Sequence, residues 1–485
     1  MKRHPSQLFP PALQRAPGCL PGGVHPHGAL PTFGGMNPFD SDNPGISQEL
    51  LDGVRTAAVP LTGKDVDFDT LIEGMGNARF VLLGEATHGT HEFYAARARI
   101  TKRLIAEHGF TAVAVEADWP DALRLNAYVH GESDDRDARQ AFGNFERFPR
   151  WMWRNAEVLE LVEWMRSYNS TLKPDAPRAG FYGLDLYSLH SSMREVVRYL
   201  ERVDPEAAYR ARQRYACFDR FGPEPQSYGH ATSYGYQDTC EAGVIEQFLE
   251  LRERKVHGAR EEDERFYAEQ NARLARDAEA YYRAMYAGSD VSWNLRDTHM
   301  ADTADALADY LGRKQGRPAR MVVWAHNSHL GDARATQMAD QGELNLGQLL
   351  RERHGRETYN VGFTTYRGTV IAAREWDQPG LRRQVRRALP GSYEALFHEV
   401  GLGDFLLRME DLGEAGSGLR ERRLERAIGV IYAPRSERWS HYFYADLPAQ
   451  FDAVLHYDTT NALRPMDADA GHEEEDAADT WPFGL

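Results

Sequence analysis

Four short apolar runs in this chain each end in groups that can carry a proton or a charge. Arg79–Glu85 reads RFVLLGE and is followed by His88, while Thr111–Asp118 reads TAVAVEAD and contains Glu116 and Asp118. Gly180–Asp185 reads GFYGLD, and Met321–His326 reads MVVWAH and is followed by His329. Carboxylates and imidazoles gathered in one place shift one another's proton affinity and serve as acids and bases. Any one of these groups has a plainer reading, as a helix cap or a satisfied core residue. Repetition at four run ends points to a shared site.

The segment Gly84-Glu85-Ala86-Thr87-His88-Gly89-Thr90 reads as a turn between a strand and a helix. Glycines at 84 and 89 allow close backbone approach and unusual φ. The helix that follows offers free N–H groups to an anion or oxyanion. His88 beside Glu85 suits a general base whose tautomer a carboxylate sets. Arg97 lies two helical turns beyond Thr90; it either reaches back to these carboxylates or is a surface cation. His326-x-x-His329, joined to Glu85-x-x-His88, also has the residue types of a metal site; alternatively, one imidazole of the pair is structural. Arg296, in Trp293–Asp297, either faces the site to bind an anionic substrate or forms a structural ion pair. Phe148–Trp153 reads first as a core cluster and second as pocket lining.

Other chemistries lack their signatures. The chain has no Gly-x-Ser-x-Gly nucleophile elbow, no phosphate-binding Gly-x-x-x-x-Gly-Lys-Ser/Thr and no His-Glu-x-x-His. Gly401-Leu-Gly403 is not completed as a dinucleotide motif, because position 406 is Leu.

Buried strands must place these groups. Beyond the four runs, Thr358–Thr365, Asp404–Arg408, Ala427–Tyr432 and Ala453–Tyr457 are further strand candidates. Thr90 is an N-cap candidate, Glu92 sits in the first turn and Gly109 stops the helix. Strand–helix alternation predicts an α/β fold, a parallel or mixed central sheet flanked by helices. In such sheets ligands bind beyond the carboxyl ends of the strands. From about 189 to 315 the sequence turns charged and helical, with Tyr267, Leu274 and Tyr281 seven residues apart, as are Asn271, Ala278 and Met285. It reads as a largely helical insertion over one end of the sheet, or as long surface helices of the same domain.

Residues 1–45 hold nine prolines and seven glycines, a disordered leader by composition. Residues 466–485 carry seven acids and no Lys or Arg, a solvated tail. The catalytic domain is expected within 46–466, and a chain trimmed to that span is expected to fold with full activity. A formal net charge of −16 over 485 residues disfavours binding to nucleic acid or anionic membranes. No apolar run approaches the ~20 residues of a membrane helix. Cys19, Cys217 and Cys240 are too few, and odd in number, for a disulfide framework, which suggests a reducing cytoplasm.

The chain resembles the erythromycin esterase family. The resemblance rests on Gly84–Phe93, Val115–Pro120, Trp151–Arg154, Tyr182–Asp185, Trp293–Met300, Ala325–His329 and Phe451–Val454, in order over roughly residues 47–465. It implies hydrolysis of an ester or macrolide lactone by a histidine-activated water, without a covalent serine intermediate, and a role in antibiotic resistance. It maps the base onto His88, supporting carboxylates onto Glu85 and Glu116, the arginine onto Arg97 and the histidine pair onto His326 and His329. Arg97 or His329 is the expected oxyanion partner, and Arg296, Asp185 and Trp119 are the expected substrate contacts. Members that open macrolide lactones require no metal, so no cofactor is expected. A metal-dependent hydrolase or transferase, or a non-catalytic binder of a carbohydrate or lipid intermediate, would use the same residues.

Overall fold

A computed structural model describes residues 45–286 and 289–467. The leader with Cys19 and the acidic tail lie outside these residues, apart from their innermost members. The Gly45 carbonyl accepts a hydrogen bond from Arg423, and Asp467 is paired with Arg154 at 2.7 Å.

Eleven strands are described: β1 (Val59–Pro60), β2 (Phe80–Leu83), β3 (Ala112–Asp118), β4 (Gly180–Asp185), β5 (Met321–Trp324), β6 (Thr358–Ala372), β7 (Leu381–Val385), β8 (Phe405–Arg408), β9 (Arg423–Arg426), β10 (Tyr442–Ala445) and β11 (Ala453–Thr460). Nine form one mixed sheet in the order β1-β8-β11-β6-β2-β5-β3-β4, with β7 against β6. The six strands from β11 to β4 run parallel, and β1, β7 and β8 are antiparallel additions. β9 and β10 pair separately. The fold is therefore α/β with a mixed sheet. The Thr358 run is longer than its sequence suggests, continuing to Ala372. Ala427–Tyr432 is not a strand: Ile428 and Ile431 make single bridges to Thr87 and Ala373. Ala427, Ile428 and Tyr432 are buried and residues 429–431 half-buried, without membership of a ladder.

The two-residue strand period sorts the core into two layers. Val81, Leu83, Val113, Val115, Val322 and Trp324 face one way, under the helices His91–His108, Trp119–His130 and Ala156–Thr171. Phe80, Leu82, Ala112, Ala114, Met321 and Val323 face the other, under residues 189–315. That stretch forms six helices, Leu189–Val203, Pro205–Tyr215, Pro225–Ser233, Glu241–Glu253, Ala259–Ala284 and Ser289–Gln315. They lie across a face of the sheet rather than only over its end. Asn271, Leu274 and Ala278 of the seven-residue pattern are buried there. A second departure from expectation is covalent: a disulfide joins Cys217, in the 3-10 turn Ala216–Phe221, to Cys240, at the N-cap of the Glu241–Glu253 helix. Sparse cysteines in sequence are no sign of it, because pairing depends on the tertiary packing that brings these two segments together. Among the described residues, no helix is long and apolar enough to cross a membrane.

Candidate active site

Register sets the site. Leu83 and Val115 both lie opposite Trp324, so the pairing of β2, β5 and β3 ends level. A register shift after Val115 then brings Asp118 opposite Asp185. Glu85, Glu116, Asp185 and His326 consequently emerge together at the carboxyl end of the sheet. A cleft of about 1590 Å³ opens over them.

The turn after β2 is fastened by segments far away in sequence. The amides of Gly84, Asn327 and Ile428 donate to the carbonyls of Val361, Glu85 and Ala86, and the Ile371 amide donates to Gly89. Neither Gly84 nor Gly89 has positive φ. Each is glycine for space: a Cβ would strike Asn327 at 84 and the Ile371 carbonyl at 89. Thr90 begins the following helix, but its hydroxyl bonds Thr87 rather than capping the helix. Gly109 ends that helix at φ +68°.

His88 donates from Nδ1 to Glu85 Oε1 at 2.8 Å, which leaves the Nε2 lone pair for the cleft that the residue lines. Arg97 Nη2 donates to the other Glu85 oxygen at 2.7 Å. Glu85 and Arg97 are wholly buried behind the imidazole and outside the cleft. The Arg97 guanidinium is packed on Tyr94 and Trp324, at 4.2 and 4.7 Å from their ring centres. The geometry therefore corrects the expectation that Arg97 reaches an oxyanion: its charge serves Glu85.

A second network forms the facing wall. Arg296 grips Asp185 with Nε and Nη2 at 2.9 and 2.7 Å and reaches Glu116 Oε1 at 2.7 Å. Glu116 Oε2 accepts the His326 amide at 2.9 Å. Burial opposes ionisation of Glu116, but His329 and Arg296 hold it well below the usual carboxylate range. Asp185 is likewise opposed by burial and held low by Arg296. His329 stacks on Trp293, at 4.5 Å between ring centres, and gives Nδ1–H to Asp297 at 2.9 Å. Burial disfavours its cation, yet Asp297 and Glu116 raise it to about 9. Arg296 Nη1, 3.0 Å from His329 Nε2, works against this but is outnumbered by the two carboxylates. His326 differs. Its Nδ1 accepts from the Ser328 amide at 3.3 Å and lies 2.8 Å from the Ser328 hydroxyl. Burial, then the neighbouring His88, keep it well below its ordinary value, so it is neutral. The His88 and His326 rings are 4.8 Å apart.

The structure thus brings His88, Glu85, Glu116, Asp185, Arg296, His326 and His329 together, with Arg97 behind them. Trp119 is a correction: it is 1% exposed and packed against Tyr182, Phe266 and Tyr267, away from the cleft. Its place at the start of a helix after a strand mimicked a site residue. Phe148, Pro149, Met152 and Trp153 line the cleft, while Trp151 is buried without lining it. Sequence reading overlooked Arg147, bound to Asp118 at 2.9 Å, and Tyr187, whose ring centre is 4.7 and 4.9 Å from the Arg147 and Arg296 guanidiniums. It also gave no role to Asp297, although Asp297 follows Arg296 directly. Among the described residues, no group of three or more His, Cys, Asp or Glu is arranged to hold a metal ion.

The family pattern described as erythromycin esterase matches residues 105–460. The chain belongs to the erythromycin esterase family. It is 24% identical to YbfO of Bacillus subtilis strain 168, a protein named as a hydrolase, over 81% of this chain and 86% of that one. It is 22% identical to the type II erythromycin esterase of Escherichia coli, over 63% and 73% of the two chains. Among solved structures, a Bacillus cereus protein matches with a TM-score of 0.73 at 21% identity, over 87% of this chain and all of that one. An erythromycin esterase variant in its open conformation matches at 0.59 and 17% identity, over 81% and 93%. Family membership supports a hydrolase acting on a small molecule.

Proposed function

We propose that this erythromycin esterase family member hydrolyses a carboxylic ester or lactone with water activated by His88. One contrast among the three imidazoles carries the reading. His329 is cationic and His326 is neutral with Nδ1 turned to Ser328, whereas His88 combines a carboxylate on Nδ1 with an Nε2 that takes no partner among the described residues. An imidazole so held accepts a proton from water in a defined direction.

Water oxygen bonds the carbonyl carbon, and its proton passes to His88 Nε2. The carbonyl oxygen becomes an oxyanion, which the cationic Arg296 and His329 on the cleft wall stabilise. The intermediate collapses by breaking the carbon–alkoxy bond, and the departing oxygen takes the proton from His88. Glu116 and Asp185 are ionised and anchor Arg296, and Glu116 also fixes the His326 backbone. The chain's own residues supply every proton transfer in this route, so we propose that no metal is required. The cleft exceeds the roughly 300–1,000 Å³ of common small-ligand pockets, which favours a bulky substrate such as a macrolide lactone and hence a part in macrolide resistance. We further propose that the protein has no nucleic-acid or membrane partner, given the acidic net charge.

The test is turnover of aryl esters and macrocyclic lactones by the native chain and by His88→Ala. The variant is expected to lose on the order of 10²–10⁴ in kcat/KM with its melting temperature unchanged, and native activity is expected to survive chelators. Equal activity in the variant, or an acyl adduct on Ser328 trapped by mass spectrometry, would refute the mechanism.

A further inference from the structure

The disulfide closes an arm that backs one wall of the cleft. Residues 217–240 carry the helix Pro225–Ser233 and are tied at both ends by the Cys217–Cys240 bond. Tyr286, which lines the cleft, donates to the Gln226 carbonyl at 3.3 Å and packs against His230 at 5.6 Å between ring centres. Gly229 lies so close to the Tyr282 carbonyl that no side chain fits between them. Tyr282 in turn donates to the Tyr187 carbonyl at 3.0 Å, beneath Arg296. Beside the bond, the Tyr228 hydroxyl accepts from the Cys240 amide at 3.0 Å and donates to Glu279. The arm, the end of the Ala259–Ala284 helix and the cleft wall therefore form one packed unit.

The two sulfurs sit in unlike surroundings. Cys240 is 2% exposed. Cys217 is half-buried, and Arg220 Nη2 lies 3.4 Å from its Sγ while also donating to the Asp238 carbonyl at 3.0 Å. A guanidinium at that distance favours a sulfur anion over a thiol and makes it the reactive partner.

We infer that Cys217–Cys240 is a thiol–disulfide exchange site for dithiols, with Cys217 as the exchanging sulfur, Cys240 as the resolving one, and the cleft wall as the structure it controls. In reduction, a dithiol's thiolate attacks Cys217 Sγ. The bond to Cys240 breaks, its electron pair leaves on Cys240 Sγ, and that sulfur takes a proton. The second thiolate of the dithiol then attacks its own sulfur in the mixed disulfide. Cys217 is released as a thiolate beside Arg220, and the dithiol departs as a disulfide, having given up two electrons. Reoxidation runs the same steps backwards. With the bond open, the arm is tied only by its packing, and Tyr286 loses its firm backing.

The experiment uses the full chain, reduced with dithiothreitol, desalted without oxygen and pulsed with limiting iodoacetamide. Peptide mapping is expected to show Cys217 labelled at least about tenfold faster than Cys240. Arg220→Gln is expected to abolish most of that difference and Arg220→Lys to keep it. Trypsin is expected to cut after Arg220 several-fold faster in the reduced native chain than in the oxidised one. Neither readout depends on catalysis, so they stand apart from the esterase reading; a several-fold rise in KM for a macrocyclic lactone on reduction rests on it. Labelling of Cys240 first, an unchanged Cys217 rate in Arg220→Gln, or equal trypsin cutting in the two states would overturn the inference.

Discussion

Replacing Glu85 with Gln tests the site where stability and catalysis meet. Gln keeps the size and a hydrogen-bonding oxygen but removes the charge. Arg97 is 0% exposed, and Glu85 is the carboxylate it contacts, at 2.7 Å. Its remaining guanidinium nitrogens have no hydrogen-bond partner, only aromatic faces around them. At an effective dielectric constant near 20, unit charges about 4 Å apart attract by about 4 kcal/mol. Breaking a buried pair from one side costs about 3–5 kcal/mol. Glu85→Gln is therefore expected to lose about 4 kcal/mol in urea unfolding. The double replacement Glu85→Gln with Arg97→Met removes the stranded cation. It is expected to lose less than the two single changes added together, by about 3 kcal/mol. Activity should not follow stability. His88 lacks its orienting carboxylate in both proteins, so kcat/KM for an aryl ester should stay down by about 10²-fold or more. Unfolding energies that add within about 0.5 kcal/mol would show that Glu85 and Arg97 do not work as a pair, and recovered activity in the double variant would show that His88 does not need the carboxylate.

Three further outcomes follow from particular contacts. His329 has its folded value raised to about 9 from 6.5, so its contribution to stability is complete below pH 6.5 and is lost as pH rises through 9. About 3 kcal/mol should disappear over that window in urea midpoints, and His329→Gln should flatten the curve. Removing the disulfide, which spans 23 positions, by Cys217→Ser with Cys240→Ser should cost about 3 kcal/mol in urea unfolding of the oxidised protein. Gly89→Ala should cost roughly 1–3 kcal/mol through collision with the Ile371 carbonyl; a neutral change in melting temperature would mean that the turn has slack.

The placement of Glu85, Glu116, Asp185 and His326 was legible because a parallel sheet puts strand ends side by side, and an apolar run ending in a charged residue marks such an end. What the four groups do to one another was not legible, since it depends on approaches from outside the sheet. Arg97 faces inward because Tyr94 and Trp324 close over it. Arg296 reaches Asp185 and Glu116 from a helix that begins more than a hundred residues after β4. Trp119 shows the opposite failure. Its position in sequence matched a site residue, but the helix Trp119–His130 turns its ring to Tyr182 and Phe266. Ala427–Tyr432 looked like a strand because both a strand and a buried connector need apolar residues. Only the neighbouring backbone decides between them, and here it supplies single bridges.

The stitching of the turn after β2 has a consequence for how the protein is made. Its backbone partners include Val361, Ile371, Ile428, Asn461 and Leu463. A ribosome adding about 5–20 residues per second needs about 20–75 s to go from residue 90 to residue 463. Throughout that interval His88 has been synthesised, but the set of partners that fix its loop is incomplete. A nascent chain halted before its last strand would thus carry the proposed base and its carboxylate, yet no working site.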